Sequence, residues 1–518
     1  MSKKKKYIPL TVLIIFSIYC SITVGQALDE QHQLMHGKNT FDYLVSLGQV
    51  NNYFPYREYY STIYWSFLYF ITEIFPSKYE IQITHLVNLF FSLGVVFGIG
   101  KVSKELFNKK VGKIVFLIFF LFPVFFGHMS INGKDTILAF SHVWIVYLIL
   151  RYLKKQDYRN KINKYILRVG LLAALASGIQ LAFLGSLITV FLYMLVEVFY
   201  FKNFINKSFS KKLFLFDLIK CFIAFYLILV LFWVDSHQNI FIYPFYIIKD
   251  WMESDLITGW PYTLTNGNYY LSVEVPSTYF LINFIYKTPE YVLILYLLFF
   301  ILIFKSKDFY TERFSFINYK LFFVLALLIF PNLLILFLPF PVYDGLRLFL
   351  WALPYFSIIP GLSFYYLIEN FKFAKSKVAL IFLTPFFIYF LFNFLTITPY
   401  QYTYLNFFNG KKENRYQKFE NDYWAISLHK LIKDVNFNTD KVVKLGTCGI
   451  ISAAPKPYLK KKSKLSYEFV QVDKADYIIM TNRVSRRHGV KNCFDIFKGE
   501  NIVSVKRNGL ILSVIRKI

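Results

Sequence analysis

The chain has 518 residues, of which 56% are hydrophobic, 21% are aromatic and only 17% are charged. Soluble domains carry about 25% charged and about 45–50% apolar residues, so this composition excludes an ordinary soluble protein. The net charge of +27 does not indicate a nucleic-acid partner, because Lys and Arg gather in short segments between apolar runs. The composition therefore predicts an integral, multi-pass membrane protein.

Hydropathy predicts about eleven membrane spans, since apolar runs of about 18 residues or more can cross a hydrocarbon layer of roughly 30 Å. The third predicted span is short and the fifth and sixth are nearly continuous, which leaves the count a margin of about one or two. The predicted spans are 7–24, 80–100, 114–127, 136–150, 165–181, 183–200, 213–234, 288–304, 321–338, 348–368 and 378–397.

The distribution of Lys and Arg predicts the orientation. The segments on one side of the spans contain 26 of them, whereas the opposite segments 25–79, 128–135, 235–287 and 339–347 contain 7. Positive segments stay in the cytosol, so the N-terminus is predicted to be cytoplasmic. The Lys3 to Lys6 run has no clear cleavage pattern after it, which indicates a retained signal anchor.

The polar residues 398–518 are predicted to form a small α/β domain outside the cytosol, beside a transmembrane catalytic domain of residues 1–397. The expected elements are strands at Lys441–Leu445 and Asp476–Met480, a helix at Leu428–Val435 and a hairpin over Ile502–Ile515 that turns at Asn508-Gly509.

The four cysteines divide into two pairs. Cys20 and Cys221 fall inside apolar spans, where they are predicted to be packing residues. Cys448 and Cys493 lie in the polar C-terminal part, where they can either form a disulfide or stay reduced. The sequence does not contain the Cα distance that decides between these states.

Asp29 and Glu30 directly follow the first predicted span, with His32 and His36 close behind. A carboxylate at a membrane surface can act as a general base toward a hydroxyl group. The pair can also hold a divalent cation on a phosphate. The alternative is a solvated loop in which Asp29 caps the next helix.

Two short outer loops add cations at headgroup depth. In Gly127–Asp135, His128, Lys134 and Asp135 can form an anionic-lipid site with Lys134 on the phosphate. Alternatively, Lys134 snorkels and Asp135 caps the next span. In Tyr343–Arg347, Arg347 can bind phosphate, or it can form an ion pair with Asp344 at a helix start.

The long outer segment 235–287 is rich in aromatic residues and poor in charges. Its rings can lie in the membrane interface or stack on a sugar. The aromatic residues concerned are Trp251, Trp260, Tyr262, Tyr269 and Tyr270.

Five segments, taken in chain order, carry a family resemblance. They are Asp29-Glu30; Gly127–Asp135; Tyr270–Pro276 with Tyr279 and Lys287-Thr288-Pro289-Glu290; Tyr343–Arg347 with Pro354; and Pro399–Tyr402 with Asn406, Gly410 and Phe419–Trp424. Together they resemble the GT-C membrane glycosyltransferases, specifically relatives of the protein O-mannosyltransferases of glycosyltransferase family 39. The chain departs from many relatives in having Leu348 after Arg347, and segment 235–287 is too short for the β-trefoil domain of the eukaryotic enzymes.

The resemblance implies an inverting transferase that takes a monosaccharide from a polyprenyl-phosphate carrier. It further implies that Asp29 is the base, that Glu30 orients the acceptor or a cation, and that Lys134 and Arg347 stabilise the departing phosphate. His128, Asp135 and Asp344 are implied as supporting members. The implied partners are the carrier-linked sugar, membrane lipid, and a saccharide, lipid or protein acceptor. No cofactor is certain, although a divalent cation is possible.

Two competing hypotheses are a flippase or polymerase of lipid-linked saccharides and a non-catalytic scaffold. A flippase requires charge inside its spans. Most spans are free of charge near their middle; Asp217 and Lys220 are exceptions, and they lie near the inner end of the seventh span. A scaffold leaves the outer carboxylates and cations without a role.

Overall fold

The computed structural model describes residues 8–156, 164–253, 259–337, 340–437, 441–462 and 465–518. The Lys3 to Lys6 run of the predicted anchor lies outside these residues. The helices are α1 (Ile8–Thr23), α2 (Glu30–Val45), α3 (Ile63–Glu73), α4 (Glu80–Leu106), α5 (Lys109–Phe120), α6 (Pro123–His128), α7 (Asp135–Lys154), α8 (Lys164–Ile179), α9 (Phe183–Ser186), α10 (Ile188–Val196), α11 (Lys211–Leu231), α12 (Tyr243–Glu253), α13 (Tyr279–Lys287), α14 (Glu290–Lys305), α15 (Lys307–Arg313), α16 (Ile317–Phe337), α17 (Leu353–Phe356), α18 (Ile358–Glu369), α19 (Ala374–Thr396), α20 (Leu428–Asp434), α21 (Lys456–Leu459) and α22 (Cys493–Ile496).

Each predicted span coincides with a helix or with neighbouring helices, so the helical membrane architecture is confirmed. Among the described residues, five helices are individually long and apolar enough to cross a membrane: Ser77–Leu106, which includes α4, and α7, α11, α16 and α19. The pair α13–α14 meets the same criteria only together and is bent by 115°. The remaining predicted spans are shorter or broken, and the count of eleven stays a prediction.

Prolines break the helices beside the outer loops. Pro123 begins α6, Pro289 precedes α14 at the 115° bend, and Pro354 lies in the first turn of α17. Proline lacks the backbone N–H and is best accommodated in the first turn of a helix, and each of these three prolines stands at or just before a helix start. These bends bring chain ends and loops together on one side of the helix bundle.

The outward faces of the long helices are apolar. Phe304 is 84% exposed and Ile381 is 71% exposed, while Val95 and Val324 are fully buried in the core between helices. An all-round apolar helix surface of this kind is stable in a hydrocarbon environment and is costly in water. The protein is therefore integral to the membrane.

The segments between spans contain structure that hydropathy did not reveal. Residues 25–79 include α2 and α3, and residues 235–287 include α12 and a two-stranded hairpin of β1 (Tyr262–Thr265) and β2 (Asn268–Leu271). On α12, Phe245 and Tyr246 are both more than 60% exposed, as expected for a helix that lies in the interface. Trp260 lies apart from this helix.

The C-terminal residues form a five-stranded mixed sheet of β3 (Val443–Cys448), β4 (Tyr467–Phe469), β5 (Tyr477–Thr481), β6 (Glu500–Arg507) and β7 (Leu510–Lys517). The strand order is β4-β3-β5-β7-β6, in which β3 is parallel to both β4 and β5. The predicted helix is α20, and the predicted hairpin is β6–β7. Its turn residues Asn508 and Gly509 have φ values of 48° and 82°, which a type I′ turn requires.

The C-terminal sheet shares a hydrophobic core with one end of the membrane part. Leu445, Ile479 and Ile515 of the sheet pack in one cluster with Val24 and Ile131. This shared core holds the C-terminal part on the outer loops. The boundary between 397 and 398 stays a prediction.

Cys448 and Cys493 form a disulfide, with Cα atoms 5.7 Å apart. Cys20 and Cys221 are free. The structure thus decides between the two states that the sequence left open.

We expect only Cys20 and Cys221 to react with a maleimide when the purified protein is denatured without reductant. After reduction all four cysteines will react, and mass spectrometry of the labelled chain will count them. Four labelled thiols before reduction would show that Cys448 and Cys493 are not paired.

Candidate active site

The two adjacent carboxylates after α1 point in different directions. Glu30 is 2% exposed; its Oε2 accepts a hydrogen bond from the Ala27 N–H at 2.8 Å, and its Oε1 lies 3.0 Å from His85 Nε2. Asp29 is exposed, and its side chain makes no capping hydrogen bond to α2. The capping alternative is therefore wrong, and Asp29 alone presents a carboxylate to the surface.

His85 of α4 explains why Glu30 turns inward. Its other ring nitrogen, Nδ1, lies 2.9 Å from the carbonyl oxygen of Ser21 in α1. The imidazole thus joins the end of α1 to the start of α2 and holds the short turn between them. The sequence did not reveal this role, because His85 lies inside a predicted span.

His36 is a buried residue with an aromatic environment. Its ring packs against those of Phe54, Tyr60 and Trp65, and burial lowers its pKa to about 3. It is therefore neutral at physiological pH. The ring of the neighbouring His32 contacts the His36 ring at a centroid distance of 4.8 Å.

The loop between α6 and α7 is held by the helices beneath it. The Asn88 amide donates to the carbonyl of Ser130 at 2.8 Å, and the Trp65 indole donates to that of Gly133 at 3.2 Å. Asn132 Oδ1 accepts from the backbone N–H of Asp135 at 2.8 Å. The alternative in which Asp135 caps this span is wrong, because Asp135 is the first residue of α7 and Lys134 is its N-cap.

Lys134 and Asp135 then take different positions. Asp135 is 3% exposed, and its Oδ2 accepts a hydrogen bond from Asn132 at 2.9 Å. Lys134 is half-buried, and its ammonium group has no hydrogen-bond or ion-pair partner among the residues described. Burial lowers the pKa of Lys134, but Tyr60 and Asp135 raise it above its usual value. The site therefore contains a charged ammonium group that no described side chain pairs with.

His128 does not face the site. It is fully buried, its Nε2 lies 2.8 Å from the Tyr423 hydroxyl, and its Nδ1 lies 3.5 Å from the Asn132 amide. Trp424 packs edge-on against the same ring. The prediction that His128 binds substrate is therefore not supported, because the imidazole instead connects the loop to the C-terminal part.

Tyr343–Arg347 forms a tight turn that directs Asp344 inward. Asp344 and Gly345 have φ values of 58° and 67°, and a Cβ on Gly345 would lie 2.2 Å from Lys287 Nζ. The left-handed backbone and the close approach both favour glycine at this position. The backbone N–H of Gly345 donates to the Tyr279 hydroxyl at 2.9 Å.

Asp344 lies between two buried arginines. It accepts hydrogen bonds from Arg347 at 2.7 Å and from Arg483 at 3.0 Å, and all three residues are less than 5% exposed. The ion pair between Asp344 and Arg347 that the sequence suggested is thus present. Arg483 was not predicted, since it lies in a basic stretch that gives no signal of burial.

Arg347 connects this ion cluster to the outer loops. Its Nε lies 3.6 Å from Asp135 Oδ2, and its guanidinium stacks over the Trp424 ring at 4.8 Å. Burial lowers the pKa of Arg347, but the charges of Asp344, Asp135 and Asp29 raise it above its usual value. The charges of Asp29 and Asp135 thus act on Arg347, and Asp135 also acts on Lys134, while the substrate-binding roles of these residues stay predictions.

Residues of the C-terminal part lie along one side of the ion cluster around Asp344. Arg483 donates to the Tyr423 carbonyl at 2.8 Å and stacks on Trp260 at 3.7 Å. Glu420 is buried beside them, and its Oε1 accepts from the Val484 N–H at 2.9 Å. Burial raises the pKa of Glu420 to about 7. The segment Phe419–Trp424, noted for its resemblance alone, thus contributes to the site.

The Lys287–Glu290 motif anchors the segment that follows α19. Glu290 accepts hydrogen bonds from the Phe407 N–H at 2.7 Å and the Tyr404 hydroxyl at 3.0 Å. Asn406 donates to the Thr288 carbonyl at 2.9 Å. Lys287 itself is buried, 5.3 Å from the centre of the Phe419 ring. It was not predicted as a site residue.

The residues present do not form a metal site. Within the described ranges, no group of three or more His, Cys, Asp and Glu side chains is arranged to hold a metal ion. Glu30 is bound to His85 and Ala27, so it is not free to join Asp29 and Asp135 on a cation.

No protein-family model matches the chain, and no curated protein matches its sequence. Solved structures do match its fold. ArnT from Cupriavidus metallidurans in the apo state has a TM-score of 0.52 and 12% identity, covering 99% of this chain and 98% of ArnT. ArnT bound to undecaprenyl phosphate gives a TM-score of 0.50 and 10% identity, with the same coverage.

A third match is the archaeal oligosaccharyltransferase AglB from Archaeoglobus fulgidus, in complex with an inhibitory peptide and a dolichol-phosphate. It has a TM-score of 0.47 and 10% identity, and covers 93% of this chain and 70% of AglB. The ArnT matches extend over nearly both whole chains and agree with the resemblance found in the sequence. Membership of glycosyltransferase family 39 stays a prediction, and the chain has the fold of the GT-C membrane glycosyltransferases.

Proposed function

We propose that this protein is an inverting glycosyltransferase that moves a monosaccharide from a polyprenyl-phosphate carrier to an acceptor on the outer face of the membrane. The observation that supports this proposal most is that an acidic and a basic side chain lie near the same residue, since the charges of Asp29 and Lys134 both act on Tyr60. Asp29 offers an exposed carboxylate, and Lys134 offers an ammonium group with no partner among the described residues. One group can accept a proton while the other receives a phosphate.

The reaction needs one in-line displacement. Asp29 takes the proton of the acceptor hydroxyl, whose oxygen attacks the anomeric carbon of the sugar. The bond from that carbon to the phosphate oxygen breaks, and the carrier phosphate leaves with the electron pair. Lys134 and Arg347 stabilise the charge that develops on the leaving phosphate. The configuration at the anomeric carbon inverts.

Other residues position these groups. Glu30 holds the turn before α2 through Ala27 and His85, so we assign it to the placement of Asp29. Asp135 and Asp344 flank Arg347 and fix its guanidinium. This revises the implied role of Glu30, which has no free oxygen at the surface to orient an acceptor. No step requires a metal ion.

The location at the membrane surface fits a lipid-linked donor. The lipid tail stays in the bilayer, and only the sugar phosphate reaches the loops. Extraction of the carrier into water would cost about 0.8 kcal/mol per CH₂. The solved ArnT structure with undecaprenyl phosphate supports a carrier of this chemistry on this fold. We propose a cytoplasmic N-terminus and residues 398–518 outside the cytosol.

The flippase alternative has little support in the described spans. Asp217 of α11 accepts a hydrogen bond from the Tyr152 hydroxyl at 3.0 Å and pairs with Lys220 at 3.3 Å. These charges are engaged in packing between helices and do not form a row across the bilayer. Release of free polyprenyl phosphate from a labelled sugar carrier distinguishes the two hypotheses, since only the transferase produces it.

We expect Asp29→Asn to lower the transfer rate by about 10²–10⁴-fold, because the amide cannot accept the proton of the acceptor. The measurement is transfer from a panel of radiolabelled polyprenyl-phosphate sugars in isolated membranes. Asp42→Asn, an aspartate on the same helix α2, is the matched control and should keep wild-type activity. Wild-type transfer by Asp29→Asn would contradict the assignment of the base.

We expect Lys134→Met to weaken binding of undecaprenyl phosphate by about 10- to 100-fold, since a hydrogen bond to a charged group contributes about 1.5–3 kcal/mol. The dissociation constant is measured on purified protein in detergent. Lys38→Met removes an exposed lysine of α2 and serves as the control. Equal affinities for the two variants would show that Lys134 does not contact the phosphate.

A further inference from the structure

The C-terminal sheet has a topological switch point. From β3 the chain crosses to β4 on one side, and from β4 it crosses back to β5 on the other side of β3. Leu459 of the first crossover belongs to the same hydrophobic cluster as Leu445, and Val472 and Ala475 of the second lie against Gly446. Successive residues of a strand face opposite ways, so the two crossovers cover opposite faces of the sheet. Ligands of open α/β sheets bind at the carboxyl ends of the strands at such a point.

A cavity of about 880 Å³ lies at this place. It is lined by the carboxyl end of β3 at Thr447–Gly449, by the segment after β4 and by the loop after β5. Small-molecule sites typically enclose about 300–1,000 Å³, so the cavity has room for one or two sugar rings. Nothing in the proposed transfer reaction uses it.

The loop after β5 gives the cavity its positive charge, and Asp473 contributes one carboxylate to the lining. Arg486, Arg487 and His488 are exposed along the lining. The backbone N–H groups of Arg487 and His488 donate to Ser485 Oγ at 3.3 and 2.9 Å, which fixes the turn. A preformed turn that carries two adjacent guanidinium groups suits a phosphate, because guanidinium groups bind phosphate oxygens in a bidentate manner.

The rest of the lining suits a saccharide. Thr447, Ser452 and Gln471 offer hydroxyl and amide groups for sugar hydroxyls, and Trp260 and Phe469 offer apolar ring surfaces. A small number of polar groups among aromatic ones is the usual composition of a small-molecule site.

The base of the loop is firmly held. The disulfide joins Cys493 to Cys448 at the end of β3, and Ser485 N–H donates to the Lys491 carbonyl at 2.9 Å. The Val484 N–H donates to buried Glu420. The cavity is therefore built on fixed elements, which lowers the entropy lost when a ligand is ordered there.

The cavity adjoins the candidate active site through one aromatic ring. Trp260 lines the cavity, and the guanidinium of Arg483 stacks on it at 3.7 Å. Arg483 binds Asp344, which in turn binds Arg347. Trp260, Arg483 and Asp344 thus link the cavity to Arg347 through a series of direct contacts.

We propose that this cavity binds a phosphate-bearing saccharide, and that it is the acceptor subsite of the transferase, with Arg486 and Arg487 on the phosphate. Only the acceptor role rests on the proposed function, and the binding of a phosphate-bearing saccharide does not depend on it. The phosphorylated sugar can belong to a soluble saccharide or to a lipid headgroup, since the chemistry recognised is the same.

The test is calorimetric titration of the full-length protein in phosphatidylcholine nanodiscs with glucose 6-phosphate, glucose and inorganic phosphate. We expect glucose 6-phosphate to bind more tightly than either of the others. Arg486→Ala/Arg487→Ala should weaken its binding by about 10-fold or more, because two charge-assisted contacts are lost. Lys491→Ala, a cation of the same loop outside the lining, should bind as wild type does.

Three results would overturn the proposal: no binding of glucose 6-phosphate to wild type, equal binding by the double variant, or equal affinity for inorganic phosphate and glucose 6-phosphate. Nanodiscs that contain phosphatidylinositol distinguish a lipid headgroup from a soluble saccharide as the source of the phosphorylated sugar. Weaker apparent binding of glucose 6-phosphate there shows that a lipid headgroup occupies the cavity, and unchanged binding shows a soluble ligand.

The failure of this proposal and that of the proposed function are separable. Transfer is measured on Asp29→Asn and binding of glucose 6-phosphate is measured on the double variant, so each measurement tests one proposal. If Asp29→Asn is inactive while the double variant binds normally, the transferase assignment stands and the cavity assignment falls. If Asp29→Asn transfers normally while the double variant loses binding, the reverse holds.

Discussion

The structure depends on one buried interaction, the contact of Asp344 with Arg347 and Arg483. Arg347 belongs to the membrane part and Arg483 to the C-terminal part, so a single carboxylate joins them. Removal of one partner from such a buried group leaves an uncompensated charge, which is strongly destabilising. The relative position of the two parts is thereby set at the place where the sugar phosphate is proposed to bind.

Around this contact, polar residues that look catalytic in the sequence divide into two groups. Glu30, His128, Glu290 and Glu420 are buried and bonded to protein partners, and they hold turns and segments together. Asp29 and Lys134 keep their charged groups without such partners among the residues described. Buried polar groups must be satisfied within the protein, so the residues left unsatisfied near a surface are the better candidates for contact with substrate.

The arrangement also fits the proposed reaction, which requires a lipid phosphate and a polar acceptor at one surface. The proline breaks beside α6, α14 and α17 place loops at one level of the bundle, and the C-terminal sheet covers them. The membrane part contributes the cations Lys134 and Arg347. The sheet contributes a separate cavity, and Trp260 in its lining stacks on Arg483 of the same ion cluster.

The sequence by itself determined the membrane architecture, because apolar length and charge asymmetry are properties of local composition. It also determined the β6–β7 hairpin, since Asn508-Gly509 specifies its own turn. The outer groups Asp29, Lys134 and Arg347 were found in the same way, as charges that do not fit an apolar surrounding. The family resemblance supplied the roles that were predicted for them.

Only the tertiary structure decided which of these charges are free. Glu30 turns inward because His85, 55 residues later in the chain, reaches its carboxylate. Arg483 joins the site because the sheet packs on the outer loops, and the pairing of Cys448 with Cys493 follows from the same packing. Long-range contacts of this kind arise from the packing of distant segments, and no local pattern of residues specifies them.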